Sequence, residues 1–101
     1  MDQLATLADP TRRTIFERLA VRPSSVGELA GELPVSRPAV SQHLKALKDV
    51  GLVVDRREGN RRIYQLDPVG VDALRGYLDE FWRRALLAYK DLVEQPTEEG
   101  Q

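Results

Sequence analysis

Arg37, Pro38, Ser41, Gln42, Lys45 and Asp49 lie in the stretch "VSRPAVSQHLKALKDVGLV", which also carries Val40, Leu44 and Leu47 at helical spacing. At about 100° per residue the three apolar side chains share one face. Pro38, Ser41, Gln42, Lys45 and Asp49 fall opposite or nearly so, and Arg37 projects from the leading turn. None of these is an activated nucleophile or a metal-ligand cluster. Their chemistry is that of reading flat, polar edges: a carboxamide pairs bidentately with adenine, a guanidinium with guanine, and a hydroxyl with either. An ammonium such as Lys45 meets guanine or a phosphate. Alone, such a face is the ordinary solvated side of a surface helix, so the flanking elements have to decide.

A second cluster follows. Arg56, Arg57, Arg61 and Arg62 surround "EGN", with Asn60 at the junction. From Ser36 to Tyr64 there are seven Lys or Arg residues against three acids, although the whole chain carries a net charge of −1. Charge is therefore segregated, with compensating acids such as Glu94, Glu98 and Glu99 near the end. A basic hairpin tip suits phosphates or a narrow minor groove. It also protects a sheet edge against unwanted pairing. Strand alternation points the four arginines to two different sides, so about half of them can face one partner.

The elements that hold these residues are legible from their boundaries. A short element spans Asp2 to Leu7. "ADPTRR" starts a helix, with Asp9 as N-cap and Pro10 in the first helical position. Ser25 and Glu28 match a capping box, and Pro34 ends the helix they open. In the opening stretch Ser36 is the N-cap, so Pro38 falls where a missing N–H costs nothing and starts the helix rather than breaking it. The free N–H groups at that end also suit a phosphate. Gly51 supplies a left-handed C-terminal residue. "LVVDRR" and "RRIYQL" flank a turn and predict a β-hairpin. "LDP" then restarts a long helix whose early turns are weakened by Gly70 and Gly76. Residues 1–93 are expected to form one domain, and residues 94–101 a polar, disordered tail.

Helix, tight turn, helix and basic hairpin describe a winged helix-turn-helix, mainly α with a small β-hairpin. Ser36, Arg37, Pro38, Ser41, Gln42, His43 and Lys45 are its candidate reading residues, with Arg56, Arg57, Asn60, Arg61 and Arg62 on the wing. His43 lies about 60° from the centre of the buried face. A packing or phosphate-contact role fits it better than catalysis or metal binding. Tyr64 is expected under the wing rather than stacked on a base.

Along the last helix Leu74, Leu78, Phe81, Ala85, Tyr89 and Leu92 recur at three and four residues, and Trp82 and Leu86 widen the stripe. That stripe exceeds what one small domain hides, and Leu4 and Leu7 also need cover. A homodimer joined through the N- and C-terminal helices buries both sets. It would separate two reading helices by about 34–36 Å, matching a pseudo-palindromic duplex site.

"LADPTRRTIFERL", "SVGELAGELPVSRPAVSQHLKALKDVGLV" and "RREGNRRIYQL" resemble the ArsR/SmtB family of winged-helix repressors, over nearly the whole ordered chain. The resemblance implies a dimeric repressor that binds promoter double-stranded DNA and often releases it when an effector binds. Thiol-sensing members carry cysteines where this chain has Ser25 and Gly27. Members that bind an ion through the last helix use Asp and His there, and this helix has Asp72, Asp79 and Asp91 but no His. The resemblance is therefore to a metal-independent branch, with Trp82 and the Tyr89–Lys90 pair as its marks. No cofactor is expected, and any small-molecule effector is unknown.

Other functions have less to stand on. The chain has no cysteine and one histidine, and it lacks a P-loop or dinucleotide glycine pattern, so an enzyme is not expected. No run is apolar enough to span a membrane and the N-terminus lacks a secretion-signal layout, so a cytoplasmic protein is expected. A winged-helix module that binds protein instead of DNA stays open as the second reading.

Overall fold

The computed structural model describes residues 2–94; the expected polar tail lies outside the described residues apart from Glu94. The elements run α1 (Gln3–Thr6), α2 (Pro10–Val21), β1 (Ser24–Ser25), α3 (Val26–Glu32), α4 (Arg37–Asp49), β2 (Val53–Glu58), β3 (Arg61–Leu66) and α5 (Pro68–Glu94). Each boundary has a local cause. The Asp9 carboxylate accepts from the Arg12 N–H at 3.0 Å, and Pro10 opens α2. Ser25 and Glu28 close a complete capping box on α3. Asp67 accepts from the Val69 N–H at the head of α5.

The sheet has three antiparallel strands in the order β1-β3-β2. The expected hairpin is β2–β3, paired from Val53↔Leu66 to Glu58↔Arg61. Its turn is Gly59-Asn60, with positive φ at Gly59 only, the arrangement of a type II′ connection. The third strand was not expected. It comprises two residues, Ser24 and Ser25, and pairs with Tyr64 and Ile63 just before α3 begins.

Behind α4, Val40, Leu44 and Leu47 are fully buried against Ile15, Leu19, Leu29, Leu52 and Val53. Burying each such side chain contributes about 1.5–3 kcal/mol. That burial holds the helix more firmly than its propensity does.

The far end of α4 is closed by a Schellman motif. The N–H of Leu52 donates to the Leu47 carbonyl, and that of Gly51 to the Lys48 carbonyl, both at 3.0 Å, with Gly51 at φ 79°. The first turn of α5 then lies against this cap: a Cβ on Gly70 would stand 1.6 Å from the Gly51 carbonyl oxygen. Gln3 completes the junction, its Nε2 donating to the carbonyls of Val50 and Gly70 at 3.1 Å each. The expectation that Gly70 weakens the start of α5 is corrected here. The helix is continuous from Pro68, and the missing side chain is what lets it approach.

Beyond this junction α5 leaves the domain. Its 27 residues give it a length of about 40 Å, and the molecule measures 73 Å in its longest direction. No helix among the described residues is long and apolar enough to cross a membrane.

Gly70→Ala should destabilise the fold by about 3 kcal/mol, because backbone has to move to admit the methyl group. Gly76→Ala meets open space and should gain about 0.5–1 kcal/mol of helix stability. Urea midpoints of the two variants check the contrast.

Candidate nucleic-acid interface

Ser36 caps α4 as its sequence suggests, its Oγ accepting from the Ala39 N–H at 3.3 Å. Pro38 sits within the first two positions of the helix. The rotation of α4 follows from its buried stripe, so Arg37, Pro38, Ser41, Gln42 and Lys45 are exposed. Ser41 and Gln42 make no side-chain hydrogen bond among the described residues, leaving their groups open to a partner. Lys45 is held by Asp49 one turn on, at 3.0 Å.

His43 is half-buried at the edge of this face. Its Nδ1 accepts from Arg12 Nε at 3.3 Å, and Arg12 also donates to the Thr6 carbonyl at 3.2 Å. This ties the middle of α4 to the start of α2. The packing role read for His43 therefore has a named partner, which the sequence did not supply.

The register splits the wing. Arg57 and Arg62 are cross-strand partners and share one side of the hairpin with Asp55 and Tyr64. Arg56 and Arg61 point to the other side with Ile63. Arg56 donates to Gln65 and faces Glu58 at 3.5 Å, while Arg61 lies 3.7 Å from Glu28 at the head of α3. Arg62 binds Asp55 at 2.8 Å. Arg57, like Arg37, has no carboxylate partner among the described residues. Tyr64 is partly buried against the core, as read.

Arg37, Asn60, Arg61 and Arg62 converge with Ser25, Val26, Gly27 and Glu28 on a cleft of about 450 Å³. The front of α4 and the wing tip thus share one opening. At Gly27 a Cβ would come within 3.1 Å of the Arg37 guanidinium. Among the described residues no group of three or more His, Cys, Asp or Glu stands together in a way that could hold a metal ion.

Sequence reasoning missed the acidic partners Glu28 and Asp55. Asp55 is the more confined, its side chain only 6% exposed, with one oxygen 2.7 Å from Lys48 on α4 and the other on Arg62 of β3. The signal was present in alternation: Asp55 faces Tyr64 across the ladder, which puts Arg62 diagonally beside it. Its hydrogen bond from Lys48, then that from Arg62, holds its pKa below the ordinary carboxylate value against the opposing effect of burial.

The apolar candidates divide as well. Leu74 is buried in the domain core and Leu7 packs partly against it, so the monomer already covers these two. Leu4, Leu78, Phe81, Trp82, Leu86, Tyr89 and Leu92 are exposed, rising from 39% at Leu4 to 71% at Leu92. Ala85 is half-buried.

The family profile described as bacterial regulatory protein, arsR family, matches residues 9–54, the segment from the cap of α2 to the start of β2. The HTH-type transcriptional regulator Rv2034 of Mycobacterium tuberculosis is 65% identical over 88 residues, which are 87% of this chain and 82% of that protein. The chain belongs to the arsR family. The arsenical resistance operon repressor of Staphylococcus xylosus is 34% identical over 75% of this chain and 73% of its own length. A solved structure of a possible transcriptional regulator for arsenical resistance superposes with a TM-score of 0.76 at 43% identity, covering 97% of this chain and 99% of that one. The arsR family consists of regulators rather than enzymes, and its winged helix-turn-helix is the fold found here.

Because Asp55 has a lowered folded-state pKa, its contribution to stability is present above its ordinary value of 3.8 and is lost as the pH falls through the lower folded value. Wild-type stability should therefore fall on acidification below about pH 4, with Asp55→Asn lacking this part of the acid limb. Urea unfolding across pH 2–7 measures both.

Proposed function

We propose that the chain is a homodimeric, sequence-specific repressor that binds a pseudo-palindromic operator in double-stranded DNA. One observation carries this reading: the Arg37, Ser41, Gln42 and Lys45 side of α4 is uncovered by the chain's own residues, and Arg37 at its leading end shares a cleft with the wing tip. A helix presented this way fits a major groove, its N-terminal end toward base edges and the wing along the backbone. Gln42 reads adenine and Arg37 guanine; Ser36 and Ser41 meet phosphate or base edges. Asn60, Arg57 and Arg61 follow the backbone from the wing. Relatives named as repressors support the direction of regulation.

The dimer is formed by α1 and α5. Leu78, Phe81, Trp82, Leu86, Tyr89 and Leu92 are exposed apolar residues at helical spacing along α5, and Leu4 is exposed on α1. A patch of this kind is normally covered by another chain. A second copy offers the same stripe by two-fold symmetry.

The decisive experiment selects genomic fragments with the purified protein and then titrates the recovered site against salt. Two half-sites about one helical turn apart, with affinity falling steeply as salt rises, are the expected result. Protein that retains no duplex at low salt would leave α4 as a protein-docking helix instead. Gln42→Ala should cost about 1–3 kcal/mol on the operator and relax discrimination at one base pair. Arg57→Ala should weaken operator and random duplex alike and flatten the salt slope by about 0.9 per protomer. Phe81→Glu should sediment as a monomer at micromolar concentration where the wild type is a dimer.

A further inference from the structure

Asp55 stands between the two elements that face the cleft. Its Oδ1 lies 2.7 Å from Lys48 Nζ in the last turn of α4, and its Oδ2 lies 2.8 Å from Arg62 Nη1 near the wing tip. The Asp55 side chain is 6% exposed, whereas the Lys48 and Arg62 side chains are about half-exposed. The geometry is thus an enclosed anion with each oxygen given to a cation from a different element. Giving either cation to another anion leaves a buried carboxylate short of a partner, a costly state. The remaining cationic positions contrast with it. Arg61 has only a 3.7 Å exposed pair with Glu28, and Arg37 and Arg57 have no carboxylate among the described residues.

We propose that Asp55 is a positioning residue for duplex reading, fixing the wing against the C-terminal turn of α4 and withholding Lys48 and Arg62 from phosphate. This rests on the duplex-binding reading above and deepens it. Lys48 and Arg62 set the angle between helix and wing, while Arg37, Arg57 and Arg61 are left to neutralise the backbone. Two cations kept off the phosphates lower the sequence-independent part of binding, since each phosphate neutralised adds about 0.9 to the salt slope. A fixed wing raises the sequence-dependent part, because the contacts on α4 and on the hairpin then arrive in one register. Both effects favour operator over random duplex.

The test measures binding of the full chain to the recovered operator fragment and to a random duplex of equal length, across a salt series. Wild type, Asp55→Asn and Arg62→Gln are compared, with melting temperatures recorded beside them. Asp55→Asn should bind random duplex more tightly, steepen its salt slope by about 0.9–1.8 per protomer, and lower the operator-to-random ratio roughly tenfold, the scale of one lost base contact. Arg62→Gln should leave the salt slope unchanged while lowering the same ratio. A purely structural role would move the melting temperature and neither slope nor ratio, and that result in Asp55→Asn overturns the inference. So does an Arg62→Gln slope flattened by about 0.9 per protomer, which would make Arg62 a phosphate contact; this arm holds even where Asp55→Asn fails to fold. Wild-type protein that binds neither duplex overturns the underlying reading and the inference together.

Discussion

Val40, Leu44 and Leu47 have no exposed surface, and their burial against Ile15, Leu29 and Leu52 determines which way the polar side of α4 looks. A slip of one residue would turn that helix by about 100° and carry Leu44 or Leu47 into water. Each such exposure forfeits about 1.5–3 kcal/mol, a large part of a small domain's total stability. Rotation is therefore set by apolar packing, and the axial position by the ends. Ser36 closes the front with a side-chain acceptor, and Gly51 closes the back with a left-handed residue. Ser41 and Gln42 are presented outward because the residues behind them leave no alternative.

The back end of α4 also carries a junction that joins this helix to both terminal helices. The Gly51 carbonyl lies where a side chain at residue 70 would be, and the Gln3 amide bridges the carbonyls of Val50 and Gly70. These are backbone contacts at close range, so they tolerate little sliding. The projecting half of α5 accordingly takes its direction from the same few atoms that terminate α4. The exposed stripe from Leu78 to Leu92 is thereby held in a fixed relation to the polar side of α4.

Much of this was legible because the decisive signals are local. Caps at Asp9, Ser25, Ser36 and Asp67 act within three residues, and the α4 stripe repeats every three or four, so boundaries and faces follow from spacing. What was not legible depends on residues far apart in the chain. A strand of two residues, Ser24–Ser25, has no period of its own and exists only because β3 lies beside it. Gly70 reads as a weak helix residue until the Gly51 carbonyl is placed against it. Leu7 and Leu74 carry the same apolar signal as Leu4 and Leu78, but the domain core takes the first pair and leaves the second exposed. The pairing of wing arginines with Glu28 and Asp55 likewise required the register and the fold.

Those pairings bear on how positive the surface of α4 and the hairpin is in a chain of net charge −1. Of the seven cations between Ser36 and Tyr64, five lie within ion-pair distance of a carboxylate, leaving Arg37 and Arg57 without one among the described residues. Exposed pairs such as Lys45–Asp49 contribute about 0–1 kcal/mol and yield readily to a phosphate. The pairs at Asp55 are enclosed and do not yield on the same terms. The surface is thus graded: free cations at the front of α4 and on one side of the wing, loosely held ones beside them, and firmly held ones at the hinge between helix and hairpin. Such grading leaves less net positive potential around α4 and the hairpin than seven unpaired cations would give.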